Sequence, residues 1–150
     1  INRKSQLRAQ NSRFTDTMKR LVLRFAFGAI VMLVLDYIWL SKLMDNFYLN
    51  QLEPILILED GRISPRMSGA VAVYLTMLIG ILYFGFRKSE STSIHPILNT
   101  ALLGLFCFAV YDLTNYATLK DWSASIIVAD ILWGGILFGT TRWAMGLADR

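Results

Sequence analysis

One cysteine and one histidine in 150 residues remove several chemistries at the outset. Cys107 has no partner for a disulfide and no second thiol for a redox or metal motif. In its apolar run a thiol behaves as a small hydrophobe. His95 stands directly before Pro96, a pairing that marks a loop and the start of a helix, so histidine-rich di-iron chemistry is excluded. No glycine-rich loop of the phosphate-cradling type occurs. The basic residues flank apolar blocks and do not form the stripe that nucleic acid requires. The sequence names no cofactor. A hard cation held by carboxylates alone is the one metal chemistry left, and no dedicated motif supports it, so no metal ligands are assigned.

What is abundant is apolar sequence, 55 % of the chain, gathered into four blocks at 21–40, 68–86, 96–111 and 123–143. Three of them approach the roughly 20 residues that cross a hydrocarbon core about 30 Å thick. The third reaches that length only if it runs on through the polar motif behind it, to about residue 115. Continuous rather than alternating apolarity predicts helices, and the expected fold is all-α, an integral membrane four-helix bundle. Residues 18–150 form this transmembrane domain. Residues 1–17 form a basic, polar extension with Asp16 as its sole acid. The extension reads either as what remains of a processed organellar transit region or as an arbitrary start of the sequence. Leu7, Phe14, Met18 and Leu21 are spaced to share one face of a helix that extends the first span.

Charge placement predicts orientation. Four spans put both termini on one side, together with Arg3, Lys4, Arg8, Arg13, Lys19, Arg20, Arg24, Arg87, Lys88, Arg142 and Arg150. The other side carries Lys42, Arg62, Arg66 and Lys120. Eleven against four assigns the termini to the inner, cytoplasm-equivalent side. Asp36 and Asp112 then come late in outward-running helices, roughly 23 Å along, while Asp130 lies roughly 11 Å below the outer end of the returning helix. A carboxylate in hydrocarbon costs several kcal/mol unless it is protonated, paired or facing a polar cavity. Three acids at one outer depth therefore form the candidate site. Asn115 and Tyr116 follow Asp112 at i+3 and i+4, and Trp39 and Trp133 follow Asp36 and Asp130 at i+3, each on its acid's side of the helix. The turns Asp36-Tyr37-Ile38-Trp39 and Asp130-Ile131-Leu132-Trp133 echo one another. Indole N–H groups donate to carboxylates, and Lys120 is the nearest cation in sequence. The plain alternative is that each polar residue caps, snorkels or bonds to a neighbouring helix.

Ser68, Ala72, Thr76 and Gly80 recur every four residues on the second span, and Gly135 and Gly139 form a GxxxG on the fourth; both read as helix-packing faces. The segment between the first two spans carries Leu52, Ile55, Leu56, Ile57 and Leu58, too few apolar residues to cross. It belongs at the interface or over the bundle's outer mouth.

At Tyr111-Asp112-Leu113-Thr114-Asn115-Tyr116-Ala117-Thr118-Leu119-Lys120-Asp121-Trp122 the chain resembles the domain-of-unknown-function family 2177 of predicted membrane proteins. The similarity extends from Met18-Lys19-Arg20 to about Trp143. It includes Leu35-Asp36-Tyr37-Ile38-Trp39-Leu40 and Asp130-Ile131-Leu132-Trp133-Gly134. The resemblance implies four helices with acids at these positions, and brings no activity. Three functions fit. The first is a non-enzymatic accessory subunit of a larger membrane complex, which needs its polar extension ordered by other subunits or a second copy. The others are a small proton-coupled carrier, and an enzyme acting on a lipid with carboxylates as acid and base. The setting is a plastid or mitochondrial membrane, or a bacterial inner membrane, and the lipid bilayer is the one certain partner.

Overall fold

The computed structural model describes residues 3–87 and 94–150; Lys88, in the charge count above, and the first two residues of the extension lie outside them. Four helices are long and apolar enough to cross a membrane. Helix α1 runs Arg3–Ile38 and passes through a π-helical turn, Trp39–Leu43, into the short α2, Asp45–Leu52. A 3-10 turn, Glu53–Ile55, and a hairpin of β1, Leu58–Glu59, and β2, Arg62–Ile63, follow. The crossing helices α3, Met67–Gly85, α4, Pro96–Thr118, and α5, Ala124–Gly146, complete the bundle. The all-α four-helix membrane fold is as the apolar blocks predict. The third block does run on through the polar motif, as far as Thr118.

Local chemistry sets the boundaries. Pro96 occupies the first turn of α4, where a missing N–H costs nothing, and the His95 ring accepts from the Ile97 N–H at 3.3 Å. Ser123 caps α5 by accepting from Ile126. Asp60 and Gly61 both hold positive φ, 49° and 72°, the paired left-handed conformation that a two-residue hairpin turn demands. At 36 residues α1 is about 54 Å long, well beyond a 30 Å core, so its first turns project past the bundle. Leu7, Phe14, Met18 and Leu21 are all exposed there.

Helix α5 is the axis and buries more of its surface than any other helix. Its contacts with α1 run antiparallel: Gly28 meets Met145 and Asp36 meets Trp133, and Arg24 meets Asp149 in the 3-10 turn Leu147–Asp149 that follows α5. The core gathers Met32, Leu78, Ile81, Trp133, Leu137, Phe138 and Met145. Packing on α4 is closest at Gly104 and Gly134, where a Cβ on Gly104 would lie 2.2 Å from the Gly134 carbonyl oxygen. Gly135 and Gly139 also face α4, against Leu105 and Ala101. The small-residue stripe of α3 behaves differently. The buried face of that helix is Leu78, Ile81 and Gly85, with Tyr74 half-buried. Ser68, Ala72 and Thr76 are exposed on another face, and a Cβ on Gly80 would meet nothing within 4 Å. In lipid an apolar face need not point inward, so small residues do not by themselves mark the packed side.

At the end of the bundle away from Asp36, Arg24 forms a bidentate pair with Asp149, with contacts of 2.8 and 3.0 Å. Its guanidinium and that of Arg142 lie 4.0 and 3.5 Å from the Phe86 ring centroid. Arg142 also donates to the Gly85 carbonyl at 2.8 Å, fastening α5 to the end of α3.

Gly104→Ala should destabilise the bundle by about 1–3 kcal/mol, because its methyl meets backbone that cannot yield. Gly80→Ala should be neutral or gain stability, since it replaces a helical glycine in open space. Thermal unfolding of both variants in one detergent checks the pair; equal losses would contradict the packing described.

Candidate functional site

At the acid end of the bundle, α1 and α5 present their matching Asp-x-x-Trp turns to each other in opposite directions. The consequence is an exchange of partners. Trp133 on α5 donates to Asp36 Oδ1 on α1 at 2.8 Å. Trp39, first residue of the π-helical turn that continues α1, donates to the Tyr48 hydroxyl at 3.2 Å, and that hydroxyl donates to Asp130 on α5. Between the two acids the indoles stack, centroids 4.4 Å apart and planes within 3°. Each indole therefore serves the acid of the opposite helix, and the i+3 spacing places it one turn beyond its own acid for that purpose. The π-helical turn begins at Trp39, where the Met44 N–H reaches back to the Trp39 carbonyl at 2.9 Å. Turns of this kind recur at functional sites because they re-aim side chains.

Two further donors complete the arrangement. Tyr74 of α3 donates to Asp36 Oδ2 at 2.8 Å, and Trp122 donates to Asp112 Oδ1 at 3.3 Å. Asp112 is fully buried, and its Oδ2 has no hydrogen-bond partner among the described residues. It sits behind the Trp122 wall, whereas Asp36 and Asp130 line an open cavity. That cavity measures about 1020 Å³ and is bounded by α1, α3, α4, α5 and the α2–β2 segment. Its walls are mostly apolar. On one lip stand the exposed α3 residues Val73, Thr76 and Phe84, and on the other the exposed α4 residues Cys107 and Tyr111. The cavity thus opens sideways between α3 and α4, toward lipid. Phe84 and Leu103 separate it from a second cavity of about 420 Å³ that reaches Arg87.

The segment after α1 roofs the cavity. Tyr48 and Leu52 are buried with Ile126 in a second core, joined by Met44, Phe47, Leu56, Ile63 and Trp122. Gln51 accepts from Ser123 and, at 3.2 Å, from Ser125, tying α2 to the start of α5. Leu52, Ile55, Leu56 and Ile63 turn their side chains onto the cavity.

Of the residues singled out by sequence, Asp36, Asp130, Trp39, Trp133 and Asn115 meet at this cavity, with Asp112 behind its wall. Tyr116 is exposed on α4 and does not line the cavity. Lys120 lies exposed past the end of α4 and forms no ion pair among the described residues. Thr76 and Gly80, read as packing residues, line the cavity instead. Tyr48, Tyr74 and Trp122 were missed. Tyr48 and Leu52 are four apart, the spacing of one helical face, and that was the available signal. Among the described residues no three acidic, histidine or cysteine side chains converge as a metal site would need.

These features define a multi-pass integral membrane protein with a laterally open, acid-bearing cavity near one end. The chain belongs to the family described as predicted membrane protein (DUF2177), whose model matches residues 21–147 and so takes in every residue of the site. No curated protein and no solved structure matches it.

Tyr48, in the roofing segment outside the crossing helices, has its pKa raised above the ordinary 10.0, first by burial, then by its bond to Asp130 and the charges of Asp130 and Asp112. A raised folded-state pKa gives stability that is fully present below the unfolded value and lost as pH climbs toward the folded one. Tyr48→Phe should therefore cost about 1 kcal/mol at neutral pH. That gap between the variant and the parent should narrow above pH 10, as read by thermal unfolding; a gap independent of pH would contradict the assignment.

Proposed function

We propose that the chain is a lipid-handling membrane protein. It takes one long apolar molecule sideways between α3 and α4 and meets the polar end of that molecule with Asp130, Tyr48 and Asp36. The observation that carries this reading is the cavity. Its volume of about 1020 Å³ lies at the upper end of the range for small-molecule sites, and its few polar groups converge at one end. Acids that merely fasten helices have no need of such a volume beside them. The eleven-to-four charge count supports an orientation with the basic end on the cytoplasm-equivalent side and hence an acid site in the outer leaflet, roofed by α2 and the hairpin. Asp130 and Tyr48 share a proton-bearing contact, so the same site is equipped for acid–base work on a bound polar group.

A separate observation supports the accessory-subunit reading beside it. The projecting part of α1 exposes Leu7, Phe14, Met18 and Leu21, and among the described residues nothing packs over them. A complex formed through this arm leaves the lipid site at the opposite end of the bundle free to act.

Gly80→Leu tests the cavity reading, because the new side chain fills open space beside Thr76 and Phe84. In nanodiscs a brominated long-chain alcohol should quench the cavity tryptophans Trp39, Trp122 and Trp133 in the parent protein. In the variant its affinity should fall by about tenfold or more, with the unfolding temperature held or raised. Equal quenching in both proteins would rule the cavity out as the binding place.

A further inference from the structure

The charge pattern of the cavity is one-sided. Two of its lining residues are acidic, Asp36 and Asp130, and none is basic. Among the described residues neither acid lies within ion-pair distance of a lysine or arginine; the one ion pair found, Arg24–Asp149, is at the far end of the bundle. A third carboxylate, fully buried Asp112, stands behind the wall with one oxygen unpartnered. Five aromatic residues, Trp39, Trp133, Tyr48, Trp122 and Tyr111, stand on the lining at this end, among aliphatic residues and Asn115. Neutral donors from Tyr48, Tyr74 and Trp133 satisfy part of the acids' hydrogen-bonding capacity, but they supply no countercharge.

From this pattern, and resting on the lipid-handling reading above, we infer that the cavity selects amphiphiles with a cationic head, a long-chain amine or quaternary ammonium, over neutral or anionic ones. Carboxylates next to hydrocarbon are costly without a positive partner, and a cationic head entering the cavity beside Asp36 and Asp130 provides it. Aromatic faces attract the same head through their quadrupoles and do not repel the alkyl chain that follows it. An anionic head would meet two carboxylates with no basic residue to offset them, and is excluded on charge. The tail runs along Met77, Leu103 and Phe108 toward Phe84, beyond which the second cavity gives a longer chain room to continue.

The test uses the full chain in zwitterionic nanodiscs and three competitors of the brominated alcohol, each with a sixteen-carbon chain: hexadecyltrimethylammonium, hexadecanol and hexadecyl sulfate. Gly80→Leu serves as the blank for partitioning into the bilayer. The cation should displace the brominated probe at about one-tenth of the concentration hexadecanol requires, and the sulfate should be the weakest. Asp130→Asn and Asp36→Asn should each bring the concentrations at which cation and alcohol displace the probe closer together, shrinking the preference for the cation. Asparagine keeps the side-chain size and one acceptor oxygen while removing the charge, and thermal unfolding in the same nanodiscs reports that the variants are folded. Equal displacement by cation and alcohol, or a preference unmoved by both substitutions, would overturn the charge selection while the cavity reading stands. Failure of every probe, the brominated alcohol included, would overturn both.

Discussion

A carboxylate placed beside hydrocarbon is costly unless the protein itself supplies donors to it. In this bundle the acids on α1 and α5 meet that demand by exchange, each drawing on the indole of the other helix. Trp133 reaches Asp36 directly, and Trp39 reaches Asp130 through Tyr48. Because the helices are antiparallel, identical Asp-x-x-Trp turns suffice for both halves, and the indoles are brought face to face between them. Three elements are committed at once: α1 and α5 by the exchange, and α2 by Tyr48. Tyr74 adds α3 through Asp36. The position of the roof over the cavity thus depends on the same contacts that satisfy the acids.

The opposite end is held by different means, a bidentate Arg24–Asp149 pair and two guanidiniums against Phe86. Between the ends, glycine allows α4 to lie almost backbone to backbone on α5 at Gly104 and Gly134. Helix α3 approaches α4 closely at Gly85, where a Cβ would lie 2.8 Å from Thr100 Oγ1, while toward the acid end the cavity lies between the two helices. Tight packing on one side of α5 and a gap on the other are two results of one distribution of small residues. At Gly104 the missing side chain is filled by a neighbouring helix; at Gly80 it is left as space.

Much of this was legible before any coordinates. Block length and continuous apolarity gave four crossing helices, and the acids stood out because hydrocarbon penalises them. The echo of Asp36–Trp39 in Asp130–Trp133 was visible too, but not that each tryptophan serves the other acid, because i+3 spacing fixes a face and not the partner across it. Tyr48 was hidden in a segment too short to cross, where a polar–apolar mixture reads as loop. The stripe Ser68, Ala72, Thr76 and Gly80 read as a packing face by the rule that small residues permit close approach. The rule identifies where a backbone can approach, not whether one does, and in lipid the apolar Leu78–Ile81 face competes on equal terms to turn inward. Asp112 was placed near the other acids from helix rise alone; that Trp122 screens it from the cavity depends on the turn between α4 and α5, which rise does not describe.

The central claim is that the acid–indole exchange is an energetic link between α1 and α5 and not an incidental contact. A double-mutant cycle on Asp36→Ala and Trp133→Phe, with stability measured by reversible unfolding in one detergent, isolates that link from the stacking and packing each residue also contributes. The account predicts a coupling on the order of 1 kcal/mol, as for interhelical hydrogen bonds in membranes. Strict additivity of the two substitutions would contradict it.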